Sequence, residues 1–139
     1  MPSLSVFLIR LSLTFFLAGV TLGALLLADK GLAAMPWLWP WRWAHIVMSL
    51  NGWLLNLVFG TAYWILPRNV TGDDRGRPSV TILAVVLLNA GIGLSMFFPT
   101  TGLAIQFAGC ALFVYQLWSR IYSMRELLLK GGGGMFPRG

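Results

Sequence analysis

Trp43-Ala44-His45-Ile46-Val47-Met48-Ser49-Leu50-Asn51-Gly52-Trp53-Leu54-Leu55-Asn56-Leu57-Val58-Phe59-Gly60-Thr61-Ala62-Tyr63-Trp64-Ile65-Leu66 decides the fold of this chain. The stretch contains no carboxylate and no Lys or Arg, and it exceeds the roughly 20 apolar residues that cross a bilayer core. Pro67 stops it, having no N–H for the next helical bond. At about 100° per residue, His45, Gly52, Asn56 and Tyr63 fall in one narrow sector, with Ser49 and Gly60 beside it. The rest of the circumference is Leu, Ile, Val, Trp and Phe, with Asn51 the main polar exception. One polar, small-residue stripe on a greasy helix marks the face turned inward. His45 on that stripe is the only histidine of the chain.

The flanking sequence repeats the pattern. Of the 139 residues, 58% are hydrophobic and 10% charged, against roughly 25% charged in ordinary soluble domains. Four spans are expected, at about 4–28, 43–66, 80–98 and 103–122, within a membrane domain of residues 1–130. Residues 131–139 are expected to form a flexible glycine-rich tail. The first span is longer than the 7–15-residue apolar core of a signal peptide and reads as a retained helix ending at Asp29-Lys30-Gly31. Arg10 near its start snorkels to the headgroups.

The net charge of +6 lies in loops and at span ends, without a basic run interleaved with stacking aromatics, which argues against nucleic acid. Arg10, Arg68, Arg75, Arg77, Arg120, Arg125, Lys130 and Arg138 fall on one side of a four-span protein, and only Lys30 and Arg42 on the other. The positive-inside rule then places both termini in the cytoplasm and His45 near the outer surface. On that orientation the sequon Asn69-Val70-Thr71 lies on the cytoplasmic side and is not glycosylated. Cys110, the lone cysteine, has apolar neighbours and reads as packing.

Between the first two spans, Trp37, Trp39, Trp41 and Trp43 alternate with other residues, a spacing that does not line one helix face. An extended or tightly turned interfacial segment is expected there, as an aromatic belt or a lid over a site beneath. Residues 68–79 are expected to form a polar loop, Pro99–Gly102 a tight turn, and residues 123–130 a short amphipathic extension.

Helices in lipid pack through small residues and interhelical hydrogen bonds. Gly19 and Gly23, with Ser12 on their face, supply the first helix. Gly52, Asn56 and Gly60 supply the second, Asn89 and Gly93 the third, Gln106 and Gly109 the fourth. An all-α, integral membrane, up-down four-helix bundle follows. Asn56 and Asn89, near mid-membrane, are expected to bond to each other for about 1 kcal/mol. His45, Ser49, Ser95, Met96 and Gln106 share the outer layer, and no comparable layer is evident on the cytoplasmic side. A ligand site belongs in that outer layer.

From His45, through Asn51-Gly52-Trp53, to Gly60-Thr61-Ala62-Tyr63-Trp64-Ile65-Leu66-Pro67-Arg68, the second span resembles the second transmembrane helix of the heme-copper oxidase catalytic subunit, closest to the nitric oxide reductase-like branch. The first span, with its spaced glycines, loosely resembles that family's first helix. The resemblance implies that His45 is an axial ligand of a low-spin heme, a heme b, near the outer membrane face, with Trp41 and Trp43 shielding it. It also implies a bacterial or archaeal-type plasma membrane and a role in respiration or nitric oxide handling. The family's catalytic subunit has many more helices and further ligand histidines, so this chain does not form the oxygen- or nitric oxide-reducing centre alone. A six-coordinate heme takes a second ligand. Met96, His45 of a second protomer in a homodimer, or a respiratory partner subunit are the candidates. Two other readings compete: an accessory subunit of a larger membrane complex without cofactor, and a quinone or small-molecule site built from His45, Ser49 and Gln106. No span carries an acidic residue for ion coupling, which argues against a transporter. No nucleophile, base and orienting group share a level, which argues against a hydrolase.

Overall fold

The computed structural model describes residues 2–33, 35–66 and 78–131. Among these there is no strand. Four helices carry the chain: α1 (Ser3–Leu32), α2 (Pro36–Ile65), α3 (Pro78–Ser95) and α4 (Pro99–Gly131). All four are long and apolar enough to cross a membrane, as expected of a multi-pass bundle. Most of the 68–79 loop, the sequon and the tail beyond Gly131 lie outside the described residues.

α1 is longer than its apolar run. At 1.5 Å per residue its 30 residues reach about 45 Å, and it continues through Asp29, Lys30 and Gly31 instead of ending before them. It stops at Ala33, a left-handed residue (φ 50°) whose N–H bonds to the Asp29 carbonyl at 2.7 Å. The Asp29 carboxylate, itself buried, accepts the Met35 N–H. One side chain in the last turn thus closes the helix and holds the start of the next, a role that hydropathy does not register.

The tryptophan-rich segment is helical, not extended. Pro36, whose missing N–H costs nothing in a first turn, opens α2 as a 3-10 stretch from Pro36 to Trp41 that continues into α-helix at Arg42 without a break. Alternate residues point to different sides of such a helix. Trp37, Trp39 and Trp41 are exposed, while Trp43 turns inward. The middle of α2 departs from the α form as well: Val47–Leu55 is a π-helix, with i→i+5 hydrogen bonds and more residues per turn than the 3.6 of an α-helix. The α form resumes at Asn56.

The turn between α3 and α4 precedes its expected position. It occupies Met96, Phe97 and Phe98, and Pro99 is the first residue of α4. α4 continues beyond residue 122 to Gly131. Gly102 is therefore a contact residue and not a turn residue: a Cβ there would stand 2.3 Å from the Ser95 Cα.

α1 packs on α2, α3 on α4, and α2 joins the two hairpins. The core runs through Leu8, Val47, Phe59, Leu88, Ile92 and Phe113, with Phe59 and Phe113 stacked at 3.8 Å between ring centroids. The glycines expected at close approaches are there at Gly19, Gly23, Gly52, Gly60 and Gly109. Gly93 is not: nothing stands within 4 Å of a Cβ placed on it, and the contact is made by Gly91 against Gln106. Leu17, Phe97, Phe107, Tyr115 and Trp118 point outward, as lipid-facing side chains do.

Candidate functional site

His45 lies in the seam between α1 and α2. Its ring rests on Gly23, where a Cβ would stand 2.5 Å from Cε1 and 2.9 Å from Nδ1. Glycine at that position is what lets the imidazole occupy the seam. Nδ1 is 2.8 Å from the Gly19 carbonyl oxygen. A carbonyl only accepts, so Nδ1 carries a proton and donates it to Gly19. Ser49 Oγ is 3.5 Å from the same Nδ1, at the limit of a hydrogen bond. Among the described residues nothing bonds to Nε2. The seam therefore presents one imidazole anchored by backbone through Nδ1, with Nε2 unbonded among the described residues.

The other expected site residues are distributed over different faces of α2. Trp43 donates its indole N–H to the Ser95 carbonyl at 2.7 Å, and so points to the α3–α4 turn. It lies two positions before His45, which on a helix is roughly half a revolution. Met96 follows Ser95 and packs, partly buried, against the core. Trp41 is 48% exposed, and the two tryptophans do not together enclose His45.

Gln106 is buried and its amide is engaged at both ends. Its Oε1 accepts from Asn51 Nδ2 at 2.5 Å, and its Nε2 donates to the Gly91 carbonyl at 3.1 Å. The structure thus brings His45 and Ser49 together, and holds Gln106 in a separate tie among α2, α3 and α4. The π-helix explains the separation. By winding more residues into each turn it brings Asn51, off the stripe on an α wheel, round to α4, while His45 and Ser49 keep facing α1.

Below this level Asn56 and Asn89 form a reciprocal pair. Asn56 Nδ2 donates to Asn89 Oδ1 at 3.1 Å and Asn89 Nδ2 to Asn56 Oδ1 at 3.0 Å. Each amide also donates to a carbonyl one turn back, Gly52 and Val85, at 2.8 and 3.0 Å. Both side chains are satisfied, and interhelical bonding accounts for them.

The far end of the bundle carries a buried polar layer that was not anticipated. Ser5, Tyr63, Thr81 and Gln116 are each less than 10% exposed, one from every helix. A signal was present: Thr81 shares the 3–4 spacing of Ala84, Val85, Leu88, Ile92 and Ser95, all buried. Asp29 was likewise missed as a functional cap.

Among the described residues no group of three His, Cys, Asp or Glu side chains could hold a bare metal ion. A heme asks less of the protein, one imidazole nitrogen per axial position, and the His45 donor fits that requirement. No family model, curated protein or solved structure matches the chain.

Proposed function

We propose that this chain is a small multi-pass membrane protein that binds one heme b through His45 Nε2 and serves as an electron-transfer component in respiration or nitric oxide handling. The observation that carries the reading is the hydrogen bond from His45 Nδ1 to the Gly19 carbonyl. A histidine that ligates a metal commonly donates its other N–H to a carbonyl or carboxylate, which fixes the tautomer and raises the basicity of the ligating nitrogen. Here a backbone carbonyl does it, and Gly23 leaves the ring its place.

His45 would hold the iron, which when bound supplies one-electron chemistry. Gly19 keeps the proton on Nδ1, and Ser49 offers a second polar contact to the same edge of the ring. A second protomer, offering its own His45 across a two-fold axis, or a partner subunit would supply the other ligand. The charge asymmetry puts both termini in the cytoplasm and His45 toward the outer surface of a bacterial or archaeal-type plasma membrane. The resemblance of the second span to oxidase catalytic subunits supports the same position for a heme.

The test is the absorption spectrum of protein purified in mild detergent, oxidised and dithionite-reduced, beside His45→Ala. Sharp reduced bands that vanish in the variant support the reading. A colourless preparation from cells well supplied with heme refutes it. One observation favours an alternative: the imidazole is already bonded and packed within the seam, as in a structural histidine. A colourless protein that co-purifies with larger membrane subunits would make this chain a cofactor-free accessory subunit.

A further inference from the structure

We propose that the polar layer at the α1 N-terminal end of the bundle binds structural water, held by the hydroxyls of Ser5 and Thr81. Both side chains are buried, at 0% and 1% exposure, and neither Ser5 Oγ nor Thr81 Oγ1 has a hydrogen-bond partner among the described residues. Burying such a group without a partner is costly, so each of the two calls for an explanation.

The helix registers place the two hydroxyls at one depth. Gly60 packs on Ser5 and Leu8, which sets Ser5 beside the last turn of α2, where Tyr63 is. Asn56 pairs with Asn89; seven residues on along α2 is Tyr63, and eight back along α3 is Thr81. Gly109 packs on Ala84 and Leu88, and the same antiparallel register carries Thr81 to the level of Gln116. One polar side chain from each helix thus reaches the same layer, where the rest of the interior is Leu, Ile, Val and Phe.

A cavity lies beside the layer. A cavity of about 400 Å³ opens at this end, lined by Ser3, Leu4, Phe7, Tyr63, Pro78 and Ile82. Tyr63 of the polar layer lines it; Ser5 and Thr81 lie one position along their helices from its walls, at Leu4 and Ile82, and are themselves sealed from it. A water takes up roughly 30 Å³ in the liquid and settles where it finds two to four polar partners. No side chain caps the start of α1, so the free N–H groups of its first turn add donors at the same level.

Water-to-protein magnetisation transfer in solid-state NMR, on labelled protein in lipid bilayers, tests this. Ser5 and Thr81 are expected to receive water polarisation at short mixing times, while Leu88 and Ile92, equally buried, stay dark. Thr81→Val keeps the shape and removes the hydroxyl, and it is expected to lower the melting temperature in detergent by a few degrees. In a dry layer the same substitution would remove an unmet polar group and be neutral or stabilising. Transfer to Ser5 and Thr81 as slow as to Leu88, or a Thr81→Val variant at least as stable as the parent, overturns the proposal.

Discussion

Gly23→Ala is the sharpest perturbation of the His45 seam. The added methyl would lie 2.5 Å from His45 Cε1, 2.9 Å from Nδ1 and 3.2 Å from Nε2, where carbon atoms prefer 3.5–4.0 Å. About 1 Å of movement is required. α1 and α2 separate, or the ring swings and gives up the 2.8 Å bond to Gly19. Overpacking of this kind costs about 1–3 kcal/mol, and the lost hydrogen bond a further 0.5–1.5 kcal/mol or so. Alanine returns at most about 1 kcal/mol through its helix propensity. The net loss is about 1–3 kcal/mol, measurable by circular dichroism as the protein unfolds in mixed micelles of rising SDS content. Gly93→Ala is the internal control, because a Cβ there meets nothing within 4 Å, and that variant is expected to match or exceed the parent. The imidazole nitrogen chemical shifts report the tautomer independently and should move in Gly23→Ala alone. Equal stability of the two variants, with unchanged nitrogen shifts, would refute the packing of His45 against α1.

Three further outcomes are expected. Asn56→Leu and Asn89→Leu each strand the other amide, and the double variant should lose less than the sum of the singles; a double-mutant cycle by SDS unfolding should return a coupling of about 1 kcal/mol. Gly102→Ala should be more damaging than Gly23→Ala, since the obstructing atoms are the Ser95 backbone N and Cα at 2.3 Å and no side chain can yield; the expected sign is a lower melting temperature with the α3–α4 hairpin opened. Asp29→Ala removes the acceptor of the Met35 N–H at a cost of about 1 kcal/mol, the typical value of a cap, and hydrogen exchange at Met35 should accelerate while exchange at Asn56 and Asn89 stays slow.

Much of the architecture was legible because membrane helices obey few rules. Apolar length counts the spans, and Gly19, Gly23, Gly52 and Gly60 mark the seam because only small residues permit close approach. Asn56 and Asn89 announce each other because an amide in hydrocarbon needs a partner. Features set by hydrogen-bond geometry were not visible in hydropathy. Nothing in Val47–Leu55 distinguishes a π-helix from an α-helix, so an α wheel left Asn51 off the inward stripe, although it bonds to Gln106. Gly93 carries the same composition signal as Gly91 but falls on the outer side of α3. The turn expected at Pro99 moved back to Met96–Phe98 because proline opens a helix as readily as it ends one. Ser5 and Thr81 escaped notice since a single hydroxyl barely changes the hydropathy of a span. Of the expected site, His45 and Ser49 are together; Trp43, Met96 and Gln106 belong to other contacts, for the register of α2 and not its composition sorts them.

The π-helix in α2 acts as a phase shifter. It sets the angle between the N-terminal half of the helix, which presents His45 to α1, and the C-terminal half, which presents Asn56 to α3. Each half is a rigid rotor whose direction is locked by its own hydrogen bond, and the nine residues between them carry the offset. Shortening that stretch by one residue would retune the offset by roughly the 100° of an α position, so one of the two locks must open. The imidazole and the Asn56–Asn89 amide pair, on different faces and at different levels of the bundle, are in this sense a single mechanical setting.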